Sequence, residues 1–377
     1  MKKIVVAIDS FKGCLSTLEA GEAAKKGIVS VFPNCDVVVL PVADGGEGVL
    51  DVLVKYLGGK YTVLKAHNPL MELIETHYAT SADGKTALIE MATISGLTLI
   101  PTAGRNPMLT TSYGTGELIK HGLEQGCRNF IVCIGGSATN DAGLGMLQAL
   151  GFRFRDKNNN DLGMGGKVMG EVESVDMLGA HPALKEASFT VVCDVNNPFC
   201  GANGAAHVFA KQKGANNVMI SDLDAGMQHL AKVIEKTTSK DIVNLPGAGA
   251  AGGIGGAFVA FTNATLKPGI ELLLDVMDFD TQMQNADLII TGEGKADRQT
   301  TMGKAPFGIL QRAKKQNIPV IMVAGSIEDI ELINEAGFKA VFSTNPYPVS
   351  IEKAMEPDFA KQNITQVLSQ ISKILIS

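Results

Sequence analysis

A chain of 377 residues exceeds what a single ordinary core organises, so two domains are expected. Hydrophobic residues at 45%, charged residues at 19% and 42 glycines describe a folded chain with many tight turns. A net charge of -6, 5% aromatics and no tryptophan argue against nucleic acid as a main partner and against base-stacking platforms.

The six cysteines are scattered without a C-x-x-C pair, and the six histidines show neither H-x-x-x-H nor H-E-x-x-H spacing. Both facts argue against a protein-built zinc site. Cys133 and Cys193 lie in apolar runs and are expected as buried thiols. The apolar run at 4–8 is too short for a signal peptide, and no later run is long enough to span a bilayer. A cytoplasmic, reduced protein is expected.

Residues 4–8 read as a strand buried on both faces, ending in Asp9-Ser10-Phe11-Lys12-Gly13. Ser16-Thr17-Leu18-Glu19 is a capping box, in which the Ser16 hydroxyl suits the N3 amide and Glu19 reaches back. The helix it opens is expected to run to about Val31. A second strand over 37–40 leads into Asp44-Gly45-Gly46-Glu47-Gly48 and a helix over 49–57. Two strand-helix units in succession predict a parallel, doubly wound sheet with ligands at the C-terminal strand ends.

From Tyr61 the texture changes to shorter strands over 61–65, 74–78 and 87–91, with Asp83-Gly84 as a hairpin turn. A helix follows Ser112-Tyr113-Gly114-Thr115-Gly116-Glu117, ending near Glu124. Residues 131–134 read as a buried strand running into Gly135-Gly136-Ser137-Ala138-Thr139-Asn140-Asp141. A helix over 142–150 is expected next, with Thr139, Asn140 or Asp141 as its N-cap. Backbone amides and the positive end of that helix would converge on one spot, which suits a phosphate or carboxylate. The alternative is a tight turn that only needs small residues.

Residues 189–193 form another strand, delivering Asp194-Val195-Asn196-Asn197-Pro198. Residues 247–252 fit G-x-G-x-x-G, but the preceding Ile242-Val243-Asn244-Leu245 is weak and broken by Pro246. Lys267-Pro268-Gly269 lies where a dinucleotide fingerprint needs a second strand and an acid. Near the C-terminus a strand over 287–290 leads into a loop at Gly292-Glu293-Gly294. A helix over 306–315, strands over 320–324 and 340–344, and a last helix over 364–376 follow. The economical architecture is α/β with two domains. A doubly wound, flavodoxin- or Rossmann-like parallel sheet is built from both chain ends, 1–62 and 285–377. An inserted mixed α/β domain covers 63–284, with the active site in the cleft between them.

Several of these loops combine glycines with a carboxylate: Asp44 and Glu47, Asp141, and Glu293 with Asp297. Glycine amides cradle phosphate oxygens and carboxylates hold Mg²⁺ beside them. Phosphoryl transfer needs both, with a lysine against developing charge, for which Lys12 and Lys304 are candidates, and an acid to take a hydroxyl proton. The G-x-x-x-x-G-K-[ST] pattern is absent, as are the H-R-D and D-F-G sets of protein kinases.

At these residues the chain resembles the type-1 glycerate kinase family. The resemblance is carried by Asp9-Ser10-Phe11-Lys12-Gly13, Ala43-Asp44-Gly45-Gly46-Glu47-Gly48, Ser112 to Glu117, Gly135 to Asp141 and Asp194 to Pro198. Gln212-Lys213-Gly214-Ala215, Gly247 to Gly253, Gly292-Glu293-Gly294, Asp297, Gln299-Thr300 and Gly303-Lys304-Ala305-Pro306 complete it, in order along nearly the whole chain. The chain departs from the expected pattern at Cys14, Ala142 and Arg298, where Ser, Gly and Gly are expected. The resemblance implies ATP-dependent, Mg²⁺-dependent phosphorylation of D-glycerate by a two-domain α/β protein, monomer or homodimer. The product that the resemblance implies is 2-phosphoglycerate or 3-phosphoglycerate, with the former favoured.

The candidate catalytic residues are Asp194, Lys12 and Asp141. Ser10, Arg105, Gly135, Gly136, Ser137, Thr139, Asn140, Asn196, Gly292, Gly294, Asp297 and Lys304 are candidates for substrate or phosphate binding. Asp44, Glu47 and Glu293 are candidates for Mg²⁺. Each has a plain alternative. Lys12 also reads as a solvated loop lysine, Asp141 as an N-cap contributing roughly 1 kcal/mol, and Arg105 as a surface residue before a turn. Asp194-Val195-Asn196-Asn197-Pro198 also suits an ordinary turn. A nicotinamide-linked hydroxyacid dehydrogenase, resting on 247–252, and a non-catalytic binder of small acids are the competing functions.

Overall fold

In the computed structural model, residues 1–43 and 49–375 are described. Its strands are β1 (Lys3–Ile8), β2 (Asp36–Val39), β3 (Lys60–His67), β4 (Leu73–Thr80), β5 (Thr86–Glu90), β6 (Asn129–Cys133), β7 (Arg153–Arg155), β8 (Ser174–Asp176), β9 (Ser188–Val192), β10 (Ala264–Lys267), β11 (Leu288–Ala296), β12 (Val320–Ile327) and β13 (Ala340–Ser343). The chain divides into two compact units, Met1–Val52 with Pro268–Ser377, and Leu53–Lys267. Among the described residues no helix is long and apolar enough to cross a membrane.

The first unit is a five-stranded sheet in the order β13-β12-β11-β1-β2, with every pairing parallel. Counted within the sheet this is the order 2-1-3-4-5 of a flavodoxin-like doubly wound fold, whose switch point falls between β1 and β11. The apolar run Ile4 to Ile8 is at most 1% exposed throughout, as a strand covered on both faces must be. Ile4, Val6 and Ile8 share a core with the helices Thr17–Val29 and Pro357–Ile374. Val5 and Ala7 point the other way, and the helix Ala305–Lys315 packs on the same strands.

The capping box forms as read. The Glu19 amide donates to Ser16 Oγ at 3.3 Å and the Ser16 amide to Glu19 Oε2 at 3.0 Å. Lys361 Nζ reaches Glu19 at 2.7 Å and ties the first helix to the last.

Two sequence expectations change here. The segment 268–284 packs with the first unit: Arg312 donates to Glu271, Asp275 and Asp280, holding the helices Gly269–Val276 and Phe279–Gln282 to Ala305–Lys315. And Gly292-Glu293-Gly294 is no loop, because β11 continues through it, with Glu293 opposite Ala324 and Lys295 opposite Ser326 in β12. Pairing with a neighbour overrides the weak strand preference of glycine.

The second unit is a six-stranded sheet, β10-β9-β6-β5-β4-β3, parallel from β5 to β10 and antiparallel at β4 and β3. The hairpin between β4 and β5 turns at Gly84, with φ +71°, as the Asp-Gly pair predicts. Phe130 stacks on Phe189 at 4.9 Å in its core.

The helix expected over 142–150 is shorter, Leu144–Ala149, and its N-cap is Gly143 (φ +74°), not Thr139, Asn140 or Asp141. Ala142 adopts φ +51°, a left-handed conformation that favours the glycine expected there. A six-residue helix set behind such a turn lends little dipole to Gly135 and Gly136.

The glycines of 247–253 serve another purpose than a cofactor. Residues 241–246 form no strand, and Ala251, Gly252 and Gly253 all take positive φ inside Ala250–Phe261. The Ala142 amide donates to Gly252 O at 3.0 Å, and a Cβ on Gly252 would lie 2.1 Å from Thr139 O. Two backbones therefore meet there with no room for a side chain. Gly252→Ala is expected to lower unfolding stability by at least roughly 2 kcal/mol, from backbone strain plus overlap. Gly84→Ala, at similar φ but facing open space, should lose only about 1 kcal/mol. Equal losses in denaturant titrations of the two variants would refute the close-approach account.

Candidate functional site

In the first unit a cavity of about 510 Å³ opens at the C-terminal ends of β1, β11, β12 and β13. Asp9, Ser10, Lys12, Glu293, Gly294 and Lys304 line it, so five sequence candidates gather at the switch point of the sheet. Asp9 is buried, its Oδ1 accepts the Ser10 amide at 2.6 Å, and its own amide donates to Gly292 O at 2.9 Å. Glu293, 5% exposed, accepts Thr300 Oγ1 at 2.6 Å and Lys304 Nζ at 3.2 Å. Lys12 is exposed.

Asp297 lies beside this cavity and caps the turn Arg298–Met302. Its Oδ1 accepts the Gln299 amide at 2.8 Å, and its amide donates to Thr300 Oγ1 at 3.0 Å. Thr300 thus links that cap to Glu293. Gly292 is tied into the ladder, with no space for a Cβ against Val323 O. Arg298 is exposed beside this turn. Asp44 and Glu47 lie outside the described residues. Among the described residues no group of three or more His, Cys, Asp or Glu gathers as a metal site.

In the second unit the candidates follow the C-terminal edge of β6 and β9. Gly135 and Gly136 are exposed just beyond β6, and Asp194 and Asn196 are exposed just beyond β9. Burial first, then the charges of Glu90 and Asp194, push the Cys133 thiol up to about 12, so it is no nucleophile at neutral pH. Gly136 O accepts the Leu97 amide at 2.8 Å, and the half-buried Arg105 turns back on the same segment, with long contacts to Leu97 O (3.5 Å) and Ile100 O (3.4 Å).

Beyond Gly136 the loop dives inward. Ser137, Thr139, Asn140 and Asp141 are all buried. The Asp141 carboxylate accepts the Ser112 amide and hydroxyl at 2.8 Å each, the amides of Gly143 and Gly145 at 3.2 Å each, and Thr111 Oγ1 at 3.4 Å. That set of donors engages the carboxylate fully in holding the loop. Thr139 Oγ1 and Asn140 Oδ1 are buried with no hydrogen-bond partner among the described residues.

Sequence reasoning missed Lys213. Its ammonium is buried under this loop, donating to Ser137 Oγ at 2.7 Å and Thr139 O at 2.6 Å. Burial lowers its pKa to about 7 against the opposing pull of Asp141. A lysine in Gln-Lys-Gly looks solvated, and only its place in a recurring motif marked it.

A model of the glycerate kinase family matches residues 4–376. The chain is 45% identical over 342 residues to the glycerate 2-kinase of Escherichia coli, covering 90% of each. It is 43% identical over 377 residues to a glycerate kinase of Haemophilus influenzae, covering 99% of this chain and 98% of that one. A crystal structure of a protein assigned as glycerate kinase 2 from Salmonella typhimurium LT2 matches with a TM-score of 0.87 at 41% identity, over 99% of this chain and 98% of that one. The fold, the strand-end residues and these full-length matches agree that the chain belongs to the glycerate kinase family.

Proposed function

We propose that this kinase transfers the γ-phosphoryl group of ATP to D-glycerate with Mg²⁺, and that the 2-hydroxyl is the acceptor. The observation that carries this reading is family membership over nearly the whole chain, together with a relative named for the 2-position. The phosphoryl transition state spreads negative charge over its oxygens while the acceptor hydroxyl gives up a proton. Lys12 and Lys304 are the ammonium groups proposed to meet that charge. Glu293 holds Lys304 in place until a phosphate competes for it.

Asp194 is proposed as the proton acceptor, supported by its exposure at the end of a rigid buried strand. The amides of Gly135 and Gly136 and the Ser137 hydroxyl suit a carboxylate or phosphate, and Arg105 is proposed to clamp the glycerate carboxylate. Ser10, Gly294 and Asn196 offer further polar contacts, and Asp141, Thr139, Asn140, Gly292 and Asp297 act by holding those groups. Mg²⁺ neutralises phosphate charge when bound. Asp44, Glu47 and Glu293 would hold it, and the buried carboxylate of Glu293 fits, since one or two carboxylates plus phosphate oxygens suffice. A nicotinamide reaction loses its support, because the glycines of 247–253 are consumed by backbone packing.

The test of the whole reading is a coupled assay with ATP, Mg²⁺ and D-glycerate, followed by phosphorus NMR of the product. ATP consumption that requires glycerate, and a 2-phosphate resonance, are expected. A 3-phosphate resonance would correct the regiochemistry, and no turnover across three- to six-carbon hydroxy acids would refute the function.

Lys12→Ala should lower kcat by roughly 100-fold or more with a nearly unchanged Tm, because an ammonium against developing charge contributes a few kcal/mol to the transition state. An unchanged kcat would leave Lys12 as a loop residue. For Asp194→Asn, substrate affinities should hold within a few-fold while kcat falls about 10²–10⁴. Recovery of rate with excess magnesium would instead make Asp194 a metal ligand, and full activity would remove it from the site.

A further inference from the structure

Lys213 ends the short turn Lys211–Lys213, and its side chain is 2% exposed. Both hydrogen-bond acceptors of its ammonium, Ser137 Oγ and Thr139 O, are uncharged. Among the described residues no carboxylate stands within ion-pair distance. Asp141 acts on it only through its field, and that carboxylate is already occupied by Ser112 and the amides of Gly143 and Gly145. A buried ammonium without a counter-charge is among the more expensive things a fold can hold, and replacing buried charge with a hydrophobic side chain is often stabilising.

The geometry gives that expense a use. A hydroxyl that accepts from Nζ must turn its own proton elsewhere, so Ser137 Oγ becomes a donor towards any further acceptor. The second bond, to Thr139 O, fixes the loop on the other side of Ala138. The exposed turn Gly135-Gly136 immediately precedes this anchored segment, so an anion bound there would meet oriented donors and a positive charge beneath them.

We propose that Lys213 is a positioning residue for an anionic substrate group bound at Gly135-Gly136-Ser137, fixing the Ser137 hydroxyl as a donor and supplying the charge under the turn. This rests on the reading of that turn as part of the kinase site. The ligand chemistry is a carboxylate or phosphate oxygen, with glycerate and nucleotide as its two sources.

Lys213→Met removes the charge and keeps most of the side-chain volume. Its Tm is expected to stay level or rise. One KM, for glycerate or for ATP, should increase at least tenfold while the other stays within about twofold, and the one that moves identifies the source. Ser137→Ala should raise the same KM at least fivefold, and the double variant should be far from additive, since the two residues act as a unit.

Both KM values unchanged in folded Lys213→Met, or both raised together with a falling Tm, would overturn the proposal. If Lys213→Met does not fold, Ser137→Ala decides by the same KM criterion. If wild-type protein phosphorylates no hydroxy acid, the proposed function fails, and Lys213 is judged separately by calorimetry with inorganic phosphate. Binding at least tenfold weaker in Lys213→Met supports the inference. Equal affinity, or no binding to wild type, refutes it.

Discussion

The pairing of β1 with β11 is the constraint on which the first unit depends. Residues Ile4 to Ile8 align with Leu288 to Gly292, parallel and fully buried, so two remote stretches of chain share one ladder. Because the strands are parallel, their C-terminal ends fall at the same edge, and Asp9, Ser10 and Lys12 meet Glu293 and Gly294 there. With right-handed crossovers, reversing the direction in which strands are added puts the connecting helices on opposite faces of the sheet, and the reversal in strand order leaves a crevice at that point. The cavity is thus a consequence of topology, and its chemistry comes from the side chains that topology delivers.

Three buried charges show how differently the chain treats them. Asp141 is surrounded by amide and hydroxyl donors and holds its loop. Glu293 shares its carboxylate between the Thr300 hydroxyl and the Lys304 ammonium. Lys213 donates to two neutral oxygens, Ser137 Oγ and Thr139 O. In a low-dielectric interior the first is satisfied by neutral donors, the second by an ammonium and a hydroxyl, and the third by neutral oxygens alone.

Local signals were read well from sequence. The capping box at Ser16 and Glu19 and the Asp-Gly hairpin at Gly84 both rest on interactions within a few residues, whereas the helix expected after Glu117 already begins at Tyr113. What failed depends on distant partners. The Gly292-Glu293-Gly294 stretch has loop composition and becomes strand only because β12 is beside it. The helix after Asp141 is trimmed where Ala142 must turn to meet Gly252. The segment 268–284 joins the first unit through Arg312, a contact no periodicity announces. For the candidate site, the motifs place their residues at strand ends, as the structure does for Asp9, Gly135 and Asp194, while the depth of Asp141 and Lys213 is a property of packing that residue type does not carry.

The split ladder also imposes an order in time. During synthesis β1 emerges early, but the strand that flanks it on one side is not made until residue 288. At typical elongation rates of about 5–20 residues per second, the wait is on the order of tens of seconds. Leu53–Lys267 is complete before then and holds its own core, so it is the part of the chain able to condense first on the ribosome. Throughout that interval β1 lacks its partner on that side, and an apolar strand with an open edge is a template for pairing with foreign strands.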